Sequence, residues 1–378
     1  MIFLKAPKAQ LSSALQTVMG VVERRSTLPI LANVLVRKNN HSVQLIAGDM
    51  QVQLCATAEL GGDDGTATTT VGAHKLVDVL RSISAEQTVS IEEQDARLVL
   101  KAGKSKFTLQ TMPADDFPLM KEAEGFGEAF SVPQKTLKEH LDRVAFAMAN
   151  SDDLRYYLQG VLFEAEGTKL VLVATDGHRL AMSQAQLETP VTGKQSVILS
   201  RKTVFELQRL LSDASVPEGE QAPMIEIRFS ASQAKFRFAN VEFVSTLVEG
   251  KYPDYARALP TETQHGLTLG REAFLAGVQR VASLNNAKNS GVQLTFETGV
   301  LRLKTVNADQ EEAEDEIDVD YDGGRFEVGF NYNYLIDVLT HLPQEMLRID
   351  MQEGSTGSAV LTVPGDENYK YVVMPLRL

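Results

Sequence analysis

Apolar positions along this chain change period in a recurring way. An alternating pair gives way to residues spaced four and three apart at Leu4, Ala6, Leu11, Leu15 and Val18. The same spacing fits Phe130, Val132, Leu137, Leu141 and Val144, and again Leu267, Leu269, Phe274, Val278 and Val281. Alternation is the signature of a strand, and the i, i+4, i+7 spacing that of an amphipathic helix. Each copy therefore predicts a short strand followed by a helix. The pattern returns roughly every 130 residues, which predicts a threefold internal repeat.

Each third holds a weaker second helix. Val77, Leu80 and Ile83 follow TTTVGA; Val204, Leu207 and Leu210 follow QSVILS; Leu335, Val338 and Leu342 follow RFEVGF. Between them lie alternating segments broken by Gly or Asp-Gly, such as RLVLKAGKSKFTLQT, KLVLVATDGHRLAMS and VLRLKTVNADQ, which read as hairpins. The expectation is an α+β chain of three topologically similar domains, 1–127, 128–259 and 260–378, with polar breaks at EAEGFGEA and ALPTETQHG. Two helices packed on an antiparallel sheet give each domain one core. Three such domains in series resemble an arc, and if chains associate head to tail by a rotation that closes, the product is a ring.

Composition narrows the class. Of the 378 residues, 43% are hydrophobic and 23% charged, which fits a globular protein. No run approaches the roughly 18 apolar residues of a membrane-spanning helix. MIFLKAPKAQ turns polar too early for a secretory signal, and the single Cys55 can form neither an internal disulfide nor a cysteine metal site. A cytoplasmic protein is expected. The net charge of -13 argues against tight DNA binding, which needs Lys and Arg on phosphates. Yet basic residues cluster on the predicted helices: Arg24, Arg25, Lys75 and Arg81, then Lys135, Lys138, Arg143, Arg201, Lys202 and Arg209, then Arg271, Arg280 and Lys288. Acids gather in residues 309–324. Charge alone is satisfied by solvated helix faces; it also fits a channel holding a polyanion loosely.

Three motifs lead nowhere. Gly103-Lys104-Ser105 has Leu98 where a P-loop needs Gly. Asp318, Asp320, Asp322 and Gly323 open like a calcium loop, but Gly329 stands where its closing Glu belongs. Asp176 and His178 come with no G-x-S-x-G nucleophile. No metal, cofactor or catalytic residue is expected, and the chain is not read as an enzyme.

RYYLQGVLFE (155–164), VATDGHRLA (173–181), KYPDYARALP (251–260), YVVMPLRL (371–378), RSTLPILANV (25–34) and PADDFP (113–118) resemble, in order and from end to end, the sliding-clamp beta subunits of bacterial DNA polymerase III. The resemblance implies a ring-shaped head-to-tail homodimer of three DNA-clamp domains per chain, encircling duplex DNA and tethering the polymerase for processive synthesis. A ring held by topology needs no tight phosphate contacts, which reconciles the negative charge with DNA. The alternative is a multidomain scaffold that never encircles DNA. The implied partners are the polymerase III catalytic subunit, the clamp loader, translesion polymerases, mismatch-repair proteins and ligase.

The resemblance also implies sites. A protein-binding pocket would use Leu158, Thr175, Gly177, His178, Arg179, Leu180, Pro253, Arg257, Val372, Val373, Met374, Pro375, Leu376 and Arg377. Its apolar walls suit a Leu or Phe anchor from a short peptide, and Met374 can repack around different ligands. Asn289 stands where a phenylalanine is usual and Ala258 where a valine is, so wall area is smaller here. DNA contacts would come from Arg25, Tyr156, Tyr157 and His74, while Asp152 would repel phosphate. The dimer seam would join Lys75, Lys104, Lys106, Phe107 and Leu109 of one chain to Leu284, Asp309, Gln310 and Glu311 of the other.

Overall fold

The computed structural model describes residues 2–24, 27–214, 220–260, 263–285, 290–352 and 357–377. Its elements repeat. The first third runs β1 (Ile2–Pro7), α1 (Lys8–Val18), β2 (Asn33–Asn39), β3 (Ser42–Gly48), β4 (Val52–Glu59), β5 (Thr66–Gly72), α2 (Ala73–Ser82), β6 (Thr88–Gln94), β7 (Arg97–Ala102) and β8 (Ser105–Met112). The second runs β9 (Phe130–Pro133), α3 (Gln134–Val144), β10 (Gly160–Thr175), β11 (Arg179–Ser200), α4 (Arg201–Leu210), β12 (Met224–Phe229), β13 (Gln233–Phe238) and β14 (Val241–Thr246). The last runs β15 (His265–Gly270), α5 (Arg271–Ala282), β16 (Gly291–Glu297), β17 (Val300–Val306), β18 (Glu312–Asp318), β19 (Phe326–Asn331), α6 (Tyr332–His341), β20 (Met346–Met351), β21 (Ala359–Val363) and β22 (Asp366–Val373). β10 and β11 are long strands whose mutual register slips at Gly167, so each carries two strand segments. With that, every third reads strand, helix, four strands, helix, three strands.

Every apolar position of the strand–helix repeat is buried, from Leu4 and Leu15 through Leu137 and Val144 to Phe274 and Val281. In the second-helix pattern one position moves. Leu210 is half-buried, and Leu211 takes the buried place because α4 ends at Leu210 and the chain turns there.

Contacts divide the chain into two compact units, 1–135 with 205–247 and 136–204 with 248–378, so the middle third is shared between them. The reason is strand pairing. In the first unit β14 pairs antiparallel with β4, which merges neighbouring thirds into one twelve-stranded sheet, β1-β6-β7-β8-β5-β2-β3-β4-β14-β13-β12-β9. In the second, β11 pairs with β22, giving a six-stranded sheet β10-β11-β22-β21-β20-β15 beside a four-stranded sheet β18-β17-β16-β19. Helices cover these sheets: α1 packs on α2, β3 and β4, and α5 on α6, β17 and β18.

Candidate peptide-binding pocket and its neighbouring surfaces

The pocket is built on one hairpin turn. β10 ends at Thr175, β11 begins at Arg179, and Asp176-Gly177-His178 joins them. Gly177 sits at φ +88, a left-handed conformation that favours glycine, and a Cβ there would displace the Arg155 guanidinium, 2.6 Å away at Nη1. The Asp176 carboxylate accepts from the backbone N–H groups of His178 at 2.9 Å and Arg179 at 3.1 Å. The Thr175 hydroxyl donates to the Arg179 carbonyl at 2.5 Å and accepts from the Gly177 N–H at 3.0 Å. Short polar side chains thus fix the loop from both ends.

Arg179 anchors the turn to the rest of its unit. It is 9% exposed. Its guanidinium donates to Asp176 at 3.1 Å, to Asp337 of α6 at 2.5 Å and to the Phe146 carbonyl at 2.8 Å. It also lies 4.5 Å from the Tyr334 ring centroid. A planar fork with several donors suits this convergence, which a lysine could not reproduce.

The tail completes the wall. β22 pairs with β11 through Arg179–Val373 and Leu180–Val372. Beyond it, the Met374 N–H donates to the His178 carbonyl at 2.9 Å and the Leu376 N–H to the Gly329 carbonyl at 2.7 Å. Leu158, Leu180 and Val372 join Ala149, Leu162, Val171, Val173, Ile198, Tyr252 and Val360 in one apolar cluster, with Tyr157, Met182, Val248, Tyr255, Ala258 and Leu259 half-buried against it. The residues expected at the pocket divide by exposure. Leu158, Thr175, Arg179, Leu180, Val372 and Val373 are buried. Gly177, His178, Pro253, Arg257, Met374, Leu376 and Arg377 are exposed, with Pro375 half-buried. Arg257 is held 3.0 Å from Asp254. Ala258 lies against the cluster, as its smaller side chain allows; Asn289 falls outside the described residues.

Sequence reasoning missed Tyr252, Tyr255, Met182, Val360, Phe146, Tyr334 and Asp337. The first two lie inside the quoted KYPDYARALP, where two tyrosines three positions apart around Pro253 are the available signal. The Tyr252 hydroxyl donates to the Val173 carbonyl at 3.3 Å, and burial raises its pKa. Burial, and then its 2.9 Å bond to the Glu164 carboxylate, push Tyr255 up to about 12. Beyond the turn, an open cleft of about 360 Å³ is lined by Met148, Asn150, Asp152, Asp153, Arg155, Asp176, His178, Arg179 and Tyr334. There the Arg155 guanidinium holds the half-buried Asp153 carboxyl down at about 2.

Of the residues expected at DNA, Arg25 lies outside the described residues. Tyr156 is 56% exposed and meets Tyr157 edge to face at 5.9 Å. Tyr157 packs into the pocket cluster, so Tyr156 offers the free ring. Leu154 beside it is 94% exposed, a position the sequence reading passed over. His74 is half-buried in the first turn of α2, with Nε2 buried and without a hydrogen-bond partner among the described residues. Several helix arginines grouped by charge are occupied in the fold. Arg143 pairs with Asp366 at 2.8 Å; Arg201 donates to the Ala149 carbonyl and Arg271 to the Leu339 and Gln344 carbonyls; Arg280 pairs with Asp315.

Two strands with an unpaired side carry the residues expected at the dimer seam. β8 pairs along its length with β7, but meets β5 only at Thr111 and Met112. It carries exposed Lys106 beside half-buried Phe107 and Leu109, with exposed Lys104 in the preceding turn. In the second unit β18 is one edge of the four-stranded sheet, paired only with β17. Its approach is ordered by Asn307, whose carboxamide oxygen accepts from the N–H groups of Asp309 and Glu311, both at 2.9 Å. Gln310 takes φ +64, and Leu284 nearby is 41% exposed. Lys75 is exposed on α2.

A thrice-repeated α+β unit whose chain end lies along the 176–178 turn is shared with one class of known proteins, the DNA sliding clamps. Models of the DNA polymerase III beta subunit match the N-terminal domain over residues 2–121, the central domain over 131–254 and the C-terminal domain over 256–377. The beta sliding clamp of Pseudomonas aeruginosa is 39% identical over 364 residues, covering 96% of each chain. That of Escherichia coli K12 is 35% identical over 371 residues, covering 98% of each. The crystal structure of the P. aeruginosa beta subunit superposes with a TM-score of 0.92 at 38% identity, covering 99% of this chain and 100% of the other. A sliding clamp from Bartonella birtlesii, solved bound to griselimycin, gives 0.93 at 33%, covering 100% of each. The chain belongs to the DNA polymerase III beta subunit family.

Proposed function

We propose that two copies of this chain close head to tail into a ring around duplex DNA, each contributing clamp domains 1–127, 128–259 and 260–378. The observation that carries the reading is the pair of open edges of opposite charge, β8 with Lys104 and Lys106 and β18 with its acidic approach. An unpaired edge is a template for another strand, and a soluble protein keeps one exposed only with protection or a partner. Antiparallel pairing of β8 with β18 of a second copy satisfies both rows of backbone groups. Phe107 and Leu109 then cover Leu284, ringed by Lys75, Lys104 and Lys106 facing Asp309, Gln310 and Glu311.

The ring holds DNA by enclosure, with weak contacts from Arg25, Tyr156, Tyr157 and His74, so it slides. It is a non-catalytic, cytoplasmic processivity factor. The pocket takes short peptides with an apolar anchor from the polymerase III catalytic subunit, the clamp loader, translesion polymerases, mismatch-repair proteins and ligase in turn. Sedimentation equilibrium tests the assembly. The native chain is expected as a dimer and Phe107→Ala with Leu109→Ala as a monomer; a native monomer at all concentrations contradicts the reading.

A further inference from the structure

The turn at the peptide pocket is built twice. Residues 46–56 repeat 173–183 position for position: Ile46 pairs with Cys55 and Gly48 with Gln53, as Val173 pairs with Met182 and Thr175 with Leu180. The Asp49 carboxylate accepts from the N–H groups of Gln51 at 3.0 Å and Val52 at 2.9 Å, as Asp176 does from His178 and Arg179. Met50 takes φ +76 where Gly177 takes +88. A returning strand lies along each turn. β14 pairs with β4 through Val244–Gln53 and Ser245–Val52, and the Thr246 N–H then donates to the Gln51 carbonyl at 2.8 Å. β22 and Met374 do the same at β11 and His178. The apolar cluster repeats as well. Leu35, Ile46 and Cys55 stand where the pocket cluster has Leu162, Val173 and Met182, and Phe117 packs among them.

The first unit thus holds a groove of the pocket's construction, and that groove is filled. Three wall positions differ. Gln53 stands where the pocket has Leu180; Lys235, opposite Val244, stands where Val360 lies opposite Val372; and Gln233 stands where the pocket has Ser358. All three bind the chain's own connecting segment. Gln53 Oε1 accepts from the Met120 N–H at 3.0 Å. The Gln233 carboxamide donates to the Lys121 carbonyl and accepts from the Ala123 N–H, both at 2.9 Å. Lys235 Nζ donates to the Glu122 carboxylate at 2.8 Å. Gln233 and Lys235 are buried. A side-chain amide that bonds a passing backbone through both its N–H and its carbonyl replaces one residue of a partner strand, which is how an edge holds an extended peptide. Leu180 and Val360 can make no such bonds, so the pocket leaves its groove to a partner.

Resting on the peptide-binding reading above, we propose that the groove at Gln53, Gln233 and Lys235 is a second site for a short apolar-anchored peptide, occupied by the chain's own residues 119–123. Leu119 and Met120 are the apolar part of this occupant. The segment is tethered at both ends, so it outcompetes free peptide through its effective concentration. Each chain therefore takes one partner peptide, although it carries two grooves.

The test is calorimetric titration of the full chain with one Leu- or Phe-anchored peptide. The native chain should take one peptide. Gln53→Leu, Gln233→Ser and Lys235→Val give the groove the pocket's own residues, and Leu119→Ser with Met120→Ser weakens the occupant. This fivefold variant should take two peptides, and still one when residues 374–378 are removed. A variant with the native circular dichroism spectrum that takes one peptide, and none without the tail, would overturn the inference while leaving the pocket standing. A native chain that takes no peptide would overturn both. Should the variant not fold, amide hydrogen exchange decides. The Met120 and Ala123 N–H groups should be protected in the native chain, and Gln53→Ala and Gln233→Ala should each speed exchange at their own partner by about tenfold or more. Rapid exchange at both amides in the native chain, or no change in either variant, would contradict the occupancy.

Discussion

Met374 is tied to His178 through the backbone: its N–H donates to the His178 carbonyl at 2.9 Å. That bond carries the β11–β22 pairing one step past the strand and lays the tail along the turn. Met374 is 51% exposed and Leu376 42%, so the tail presents apolar side chains to whatever enters. Removing residues 374–378 should abolish binding of an apolar-anchored peptide in fluorescence anisotropy while leaving the dimer in sedimentation. Loss of the dimer would show that pocket and seam are not separate.

Arg179 should be the pocket's most sensitive residue. Arg179→Ala leaves Asp176 and Asp337 without their cation and the Phe146 carbonyl without its donor. Breaking such a buried pair costs about 3–5 kcal/mol. Arg179→Lys should recover only part of this, because an ammonium cannot reach three acceptors from one plane. Thermal unfolding reads the stability, and peptide titration should fall with it.

Ala258→Val adds apolar wall where the cluster is half-open. With about 0.8 kcal/mol per buried methylene, the expected gain is about 1 kcal/mol, several-fold in peptide affinity. Calorimetric titration of one Leu- or Phe-anchored peptide against both proteins checks the direction.

His140 should make stability pH-dependent. Burial first, and then the Arg143 guanidinium, lower its pKa to about 4, against the opposing pull of Asp366. Its Nδ1 lies 2.6 Å from the Ser183 hydroxyl. Because the folded value lies below the unfolded one, near 6.5, the unfolded chain binds the extra proton between them. Stability contributed by neutral His140 is full above about pH 6.5 and falls progressively toward pH 4, by up to about 3 kcal/mol. His140→Gln should flatten urea-unfolding free energies across that window; an unchanged slope would assign the dependence to other groups.

The repeat was legible because it is local. Alternation and the four-three spacing are set by strand and helix geometry, so Leu4, Leu137, Phe274 and their neighbours could be placed inside without knowing what they touch. The 176–178 turn was legible for the same reason, from Asp-Gly between two apolar runs. What the sequence hid is long-range. Nothing near Arg179 announces Asp337, 158 residues away. Arg209 reads as surface charge until its bonds to Gln16 and Thr17, across nearly 200 positions, are seen. The sharing of the middle third between two units likewise follows from the β14–β4 and β11–β22 pairings, which no window of sequence contains.

The central claim is that DNA is held by enclosure. The direct measurement places the dimer on nicked circular DNA with a bacterial clamp loader and follows retention by gel filtration before and after one cut that linearises the circle. The account predicts co-elution with the circle and loss of the protein once ends are available. Equal retention on circle and linear DNA would contradict it and leave an open scaffold that binds DNA from one side.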